Sequence, residues 1–188
     1  SVGVFPAIGH TEGNFQDAAA ATDNGASIVT HFLNAMNKEN SAGSIANFVM
    51  NDPRLTVELI VDGHHQSFKK VQELFEAIGP RIIMVSDGMA AAGNGDGSYT
   101  IGALPVEVKD GVARLLSNQK LAGSTLTISQ AFTNLISKCG LSVEQAVHAT
   151  STQPAHALGL KDRGSIAVGM RADLLSYNSS SGSISVIS

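Results

Sequence analysis

The sequence has a single cysteine, Cys139, so no internal disulfide can staple the fold, and a reducing cytoplasm is the expected compartment. It has no basic cluster. Twelve Lys and Arg stand against 16 Asp and Glu, a formal net charge of −4, which argues against a nucleic-acid partner. There is no apolar run of membrane-spanning length and no charged-then-apolar leader, so no membrane association is expected. Charged residues make up only 15% of the chain. Apolar residues are plentiful, at 43% of 188, enough for the core of one ordinary domain. The 19 glycines imply many tight turns or close backbone approaches. The chain starts at Ser1 rather than at an initiator methionine, already in what reads as a buried strand, so a piece of a longer protein is expected.

One unit recurs along the first half: an apolar run that ends at a polar residue, then a helical segment. The runs are residues 2–8, 26–30, 56–61 and 81–85, ending at Gly9-His10, His31, Asp62-Gly63-His64-His65 and Ser86-Asp87. Helices are expected over residues 14–24, rich in alanine and stopped by Gly25, and over residues 68–77, stopped by Gly79-Pro80. Apolar runs without alternation belong to parallel strands covered on both faces. Strand–helix alternation implies right-handed βαβ crossovers. Four such units are half of an eight-stranded barrel.

The texture then changes. Turn-forming residues 94–98 precede short strands at 99–101, 104–108 and 112–116, with Lys109-Asp110-Gly111 as a hairpin turn. Two helices follow, one from the 125–129 region to residue 137, the other over 142–151 and stopped by Pro154. Strands at 165–166, 172–177 and 183–187 close the chain, the last two joined by a turn at 179–182. The expected organisation is barrel units carrying the chemistry at 1–90, a β-hairpin excursion at 91–120, closing helices at 121–160 and return strands of a small β-domain at 161–188. The fold class is α/β: about four βα units of a TIM barrel plus part of a small β-sandwich.

In such a barrel all strand C-termini open on one face, where active sites lie. His10, His31, one of His64 and His65, and Asp87 stand at the four strand ends and would converge there. Neutral imidazoles are common metal ligands, and a nearby aspartate can accept a proton from an activated water. Of His64 and His65, which alternate on an extended segment, only one can point inward. His148 and His156 fall in or after a late helix and read as surface or packing residues. Residues 121–125 precede a helix, where backbone N–H groups could bind an anionic or hydroxyl-rich ligand, and where Ser124 or Thr125 could equally cap the helix.

Five motifs, in order, are Gly9-His10-Thr11, Thr30-His31-Phe32-Leu33-Asn34-Ala35-Met36, Val61-Asp62-Gly63-His64-His65, Ser86-Asp87-Gly88-Met89-Ala90 and Leu121-Ala122-Gly123-Ser124. Together they resemble the N-acetylglucosamine-6-phosphate deacetylases of the amidohydrolase superfamily, in their C-terminal half. Residues 154–160 and 169–174 resemble the closing segments of amidohydrolases more generally. The resemblance implies a divalent metal, zinc or iron, bound by His10 and His31, with Asp87 as general base and then general acid. It implies that His65 contacts substrate, that backbone around Asn34 and Ala35 binds a phosphate, and that Ala122, Gly123 and Ser124 close over the sugar. The product pair would be glucosamine 6-phosphate and acetate.

Two departures qualify that expectation. The family takes a further metal ligand, a glutamate, and a carbonyl-polarising histidine from upstream strands that this chain lacks. Where the family places an arginine for phosphate, this chain has Asn40-Ser41-Ala42-Gly43, with Lys38 nearby as a stand-in. These residues alone are therefore expected to have little or no activity. Another N-acetylated sugar, or a non-catalytic half that self-associates or needs its N-terminal half, are the alternatives.

Overall fold

The first five α-helices each begin where a short polar side chain takes over unpaired backbone N–H groups. Asn14 caps α1 (Phe15–Asp23), and Asp17 returns a bond to the Asn14 N–H to close a capping box. Ser44 caps α2 (Ile45–Asn51), Ser67 caps α3 (Phe68–Ile78), Thr127 caps α4 (Ile128–Ser137) and Ser142 caps α5 (Val143–Val147). The computed structural model describes residues 3–37 and 41–187.

Four strands alternate with the first three helices: β1 (Ala7–Ile8), β2 (Ile28–Val29), β3 (Thr56–Leu59) and β4 (Ile82–Met84). All pair in parallel and in chain order, β1-β2-β3-β4. That is the arrangement of successive βα units expected from the apolar runs. Val29, Val57, Leu59 and Ile82 are fully buried and share one core with Phe32, Val49, Val71 and Leu135. The strands are shorter than the apolar runs that announce them. Residue 2 of the first run lies outside the described residues.

The sequence pattern does not predict α2. It makes only two turns, too few for a helical period to stand out. Its buried residues Ile45, Ala46, Phe48 and Val49 nevertheless complete the βαβ unit between β2 and β3, with Phe48 edge-on to Phe15 of α1 at a centroid distance of 5.0 Å. Arg81 holds the far end of α2. Its guanidinium donates to the carbonyls of Val49 (3.0 Å), Met50 (2.9 Å) and Asp52 (2.7 Å), which the helix end otherwise leaves open, and to that of Leu55 (3.0 Å) in the segment leading to β3.

A second, antiparallel sheet of β5 (Gly97–Ile101), β6 (Leu104–Lys109) and β7 (Val112–Leu115) has its own small core of Ala91, Val106, Val108, Ala113 and Ala122. Asp110 and Gly111, both at positive φ (51° and 74°), form the two-residue turn between β6 and β7.

Two late expectations fail. The second closing helix does not stop at Pro154. It passes through a π-helical turn, His148–Thr152, into α6 (Gln153–Ala157), which places Pro154 in a first turn where its missing N–H is not needed. Residues 165–166 form no strand; only β8 (Leu175–Tyr177) and β9 (Ile184–Val186) pair at the end of the chain. Among the described residues no helix is long and apolar enough to cross a membrane.

Candidate active site

The C-terminal edge of the parallel sheet carries left-handed backbone at residues other than glycine. His10 (φ 46°), His31 (φ 31°) and Asp87 (φ 47°) follow β1, β2 and β4, and Leu33 (φ 67°) and Ala35 (φ 48°) continue the series after β2. Such conformations cost on the order of 1–3 kcal/mol each and persist where surrounding structure enforces them, typically at functional sites.

The structure brings His10 and His31 together. Their Nε2 atoms are 2.9 Å apart, with the rings edge-on at a centroid distance of 4.7 Å. His31 is buried, and its Nδ1 has no partner among the described residues. In a neutral pair one Nε2 must donate to the other. A cation shared between them satisfies both lone pairs, and imidazole nitrogen suits zinc and iron alike. Among the described residues, however, no group of three or more His, Cys, Asp or Glu could hold an ion, and a catalytic zinc site uses three protein ligands. The chain's own residues fit two positions of a metal centre and leave the third to another source.

Glu58 holds the second histidine from β3. Its Oε2 accepts the His31 N–H at 3.3 Å, and its carbonyl accepts the Phe32 N–H at 2.8 Å. Burial pushes the Glu58 carboxyl above its ordinary value and the nearby Asp87 charge adds to that, against the opposing effect of His31. Glu58 thus lies in electrostatic reach of both His31 and Asp87. Sequence reading missed it. The available signal was a carboxylate inside an apolar strand, where an unpaired charge is rare.

The loop after β2 is braced internally. Asn34 Nδ2 donates to the His31 carbonyl (3.0 Å), and the buried Gln66 donates to the Leu33 carbonyl and to Asn34 Oδ1, both at 3.4 Å. Ala35 and Met36 line a cavity of about 620 Å³ together with His10, Thr11 and Glu12. The Asn34 side chain therefore supports the loop, and Ala35 borders the cavity. Lys38 and Asn40 lie outside the described residues.

Asp87 is held through its backbone. The Ser124 N–H donates to the Asp87 carbonyl at 2.7 Å, and the Met89 N–H to the Ser124 carbonyl at 2.9 Å. The Ser124 hydroxyl donates to the Ser86 carbonyl and accepts from the Leu126 N–H. Ala122 and Ser124 are buried. The Ala122-Gly123-Ser124 segment therefore packs against Asp87. Of the two neighbouring histidines, His64 is exposed, while the His65 side chain is only 7% exposed and pairs with Asp62.

Known proteins agree on one family. A profile described as the amidohydrolase family matches residues 119–185. The N-acetylglucosamine-6-phosphate deacetylase of Vibrio furnissii is 32% identical over 180 residues, 94% of this chain and 45% of that protein. A candidate N-acetylgalactosamine-6-phosphate deacetylase of Escherichia coli K12 is 36% identical over 131 residues, 69% of this chain and 78% of that protein. Among solved structures, a mutant of the Mycobacterium smegmatis N-acetylglucosamine-6-phosphate deacetylase in complex with N-acetylglucosamine 6-phosphate superposes with a TM-score of 0.87 at 38% identity, over 94% of this chain and 48% of that one. The chain spans about half the length of most of the curated relatives it matches.

Proposed function

The chain belongs to the N-acetylated amino-sugar-6-phosphate deacetylases of the amidohydrolase family, its fold the C-terminal half of their TIM barrel, and from that premise we propose that it supplies the metal-binding histidines and the general base of such an enzyme. The reaction is hydrolysis of the acetamide of N-acetylglucosamine 6-phosphate to glucosamine 6-phosphate and acetate. The observation that carries this is the convergence of His10 and His31, Nε2 to Nε2 at 2.9 Å, on the sheet edge that also presents Asp87.

A divalent cation, zinc or iron, held by His10 and His31 would supply Lewis acidity to the attacking water and the acetyl carbonyl. Asp87 takes a proton from that water and returns it to the amine nitrogen as the C–N bond breaks, so the water oxygen leaves in acetate. His65, with its Nδ1 occupied by Asp62, offers Nε2 to the sugar. Residues 31, 33 and 35 alternate into left-handed backbone, the way concave anion-binding nests of N–H groups are built, which suits the phosphate end at Ala35. Ala122, Gly123 and Ser124 form the wall behind Asp87 on the sugar side. The sheet edges at β1 and β4 pair with further strands of a complete barrel, from the rest of the protein or from another copy of it. The cytoplasm, where sugar phosphates are retained, is the compartment this function requires.

A second substrate has a specific observation behind it, since relatives are named for both the glucosamine and the galactosamine phosphates. Acetate release by the complete protein is to be followed on N-acetylglucosamine 6-phosphate, N-acetylgalactosamine 6-phosphate and unphosphorylated N-acetylglucosamine. Preference for the first supports the assignment. Preference for the second moves it to the galactosamine reaction, and preference for the third removes the phosphate from it.

A further inference from the structure

The turn after β3 contains a carboxylate–imidazole pair built more firmly than a surface ion pair. Asp62 Oδ2 lies 2.7 Å from His65 Nδ1, while Asp62 Oδ1 accepts the backbone N–H groups of His64 (2.8 Å) and His65 (2.9 Å). The two side chains are 7% (His65) and 12% (Asp62) exposed. Gly63 permits the turn: its φ is +82°, and a Cβ there would meet the Phe68 ring at 2.9 Å. Burial alone would raise the Asp62 carboxyl, but the ring and backbone donors overturn that and hold it at about 2. Asp62 is therefore an anion throughout the neutral range and can only accept hydrogen bonds.

We propose that Asp62 is a positioning residue that fixes His65 as the Nδ1–H tautomer, so that Nε2 presents a lone pair and selects a ligand group that donates, a sugar hydroxyl rather than a carbonyl. The carboxylate imposes the tautomer because Nδ1 faces an atom with no proton to give. It imposes the ring orientation because its other oxygen is locked by two backbone N–H groups of the same turn. The choice of a sugar hydroxyl rests on the deacetylase reading above; the tautomer does not.

Asp62→Asn separates these. The two backbone N–H groups keep the amide oxygen on their side, which turns the Nδ2 donors towards His65 Nδ1. Nδ1 must then accept, and the proton moves to Nε2. The measurement is long-range ¹H–¹⁵N correlation of the histidine rings above about pH 8.5, where an ordinary imidazole is neutral, with His65→Gln to assign the signal. The expected result is Nδ1–H in the wild type and Nε2–H in Asp62→Asn. An Nε2–H tautomer in the wild type overturns the proposal even if the variant does not fold. So does an unchanged tautomer in a folded Asp62→Asn, as judged by its amide spectrum. In the complete enzyme, kcat/KM of Asp62→Asn should fall roughly 10- to 100-fold, as when other histidine-orienting partners are lost, with bound metal unchanged. A fall accompanied by loss of metal counts against the proposal. If the wild type deacetylates nothing yet shows the Nδ1–H tautomer, the substrate reading fails and the positioning role stands.

Discussion

Gly123 links the fold to the proposed base, and Gly123→Ala tests that link. Its φ is +62°, and a Cβ would lie 3.0 Å from the Asp87 carbonyl oxygen and 3.3 Å from Met89 Cβ. Gly140 is the internal control: its φ is +70°, with nothing within 4 Å of the added carbon. Alanine in left-handed backbone costs about 1–2 kcal/mol, offset in part by the lower entropy of the unfolded alanine chain, so Gly140→Ala should lose about 1 kcal/mol. Gly123→Ala should lose that and a further ~1–2 kcal/mol of overpacking, about 2–3 kcal/mol in all. Relief requires the Asp87 carbonyl to move by a few tenths of an ångström, which disturbs its 2.7 Å bond from Ser124. If a 1 Å misplacement lowers a rate about 100-fold, this shift should lower kcat of the complete enzyme about 3- to 10-fold. Urea unfolding midpoints give the stabilities and acetate release gives the rate. Equal losses of stability in the two variants, or equal rates, would refute the claim that Gly123 is kept bare by Asp87.

Other expectations follow from single contacts. Arg81→Ala removes four hydrogen bonds from a half-buried guanidinium, three to the end of α2 and one to Leu55, and should cost about 2–4 kcal/mol in urea unfolding. Arg81→Lys should recover less than half, because an ammonium cannot span four carbonyls. The Asp62 carboxyl sits at about 2 against an ordinary 3.8, so its contribution is complete above about pH 4 and is lost as the pH falls towards 2. Wild-type stability should therefore drop by about 2 kcal/mol more than that of Asp62→Asn across this window, read from melts at stepped pH. Elemental analysis of the complete protein, purified without chelator, should show a divalent metal that falls at least tenfold in His10→Ala or His31→Ala. The chain of 188 residues alone, with two of the donors, should bind the metal far more weakly.

The sheet was legible because a parallel strand buried on both faces leaves an uninterrupted apolar run, and the runs at residues 26–30, 56–61 and 81–85 contain β2, β3 and β4. His10, His31 and Asp87 were legible as candidates because each terminates such a run. α2 was not legible, since seven residues hold too few turns for a period, and its stability comes from Phe15 and Arg81, distant in sequence. Pro154 misled because a proline stops a helix only where its N–H is needed, and the π-helical turn before it removes that need. Glu58 was hidden by its neighbours: amid Thr56, Val57 and Leu59 it reads as part of a strand, and only the fold reveals that its carboxylate meets His31. The bond from the Ser124 hydroxyl to the Ser86 carbonyl was likewise invisible, because Ser86 lies 38 residues away, on the other side of a separate sheet in sequence.

The central claim is that this chain contributes the base of an amide-hydrolysing site, and acetate release from N-acetylglucosamine 6-phosphate by the complete protein, wild type against Asp87→Asn, tests it most directly. If Asp87 is that base, the wild type releases acetate and the variant falls about 100-fold or more, with bound metal retained. No acetate from the wild type on any N-acetylated hexosamine phosphate, or an Asp87→Asn variant as fast as the wild type, would contradict it.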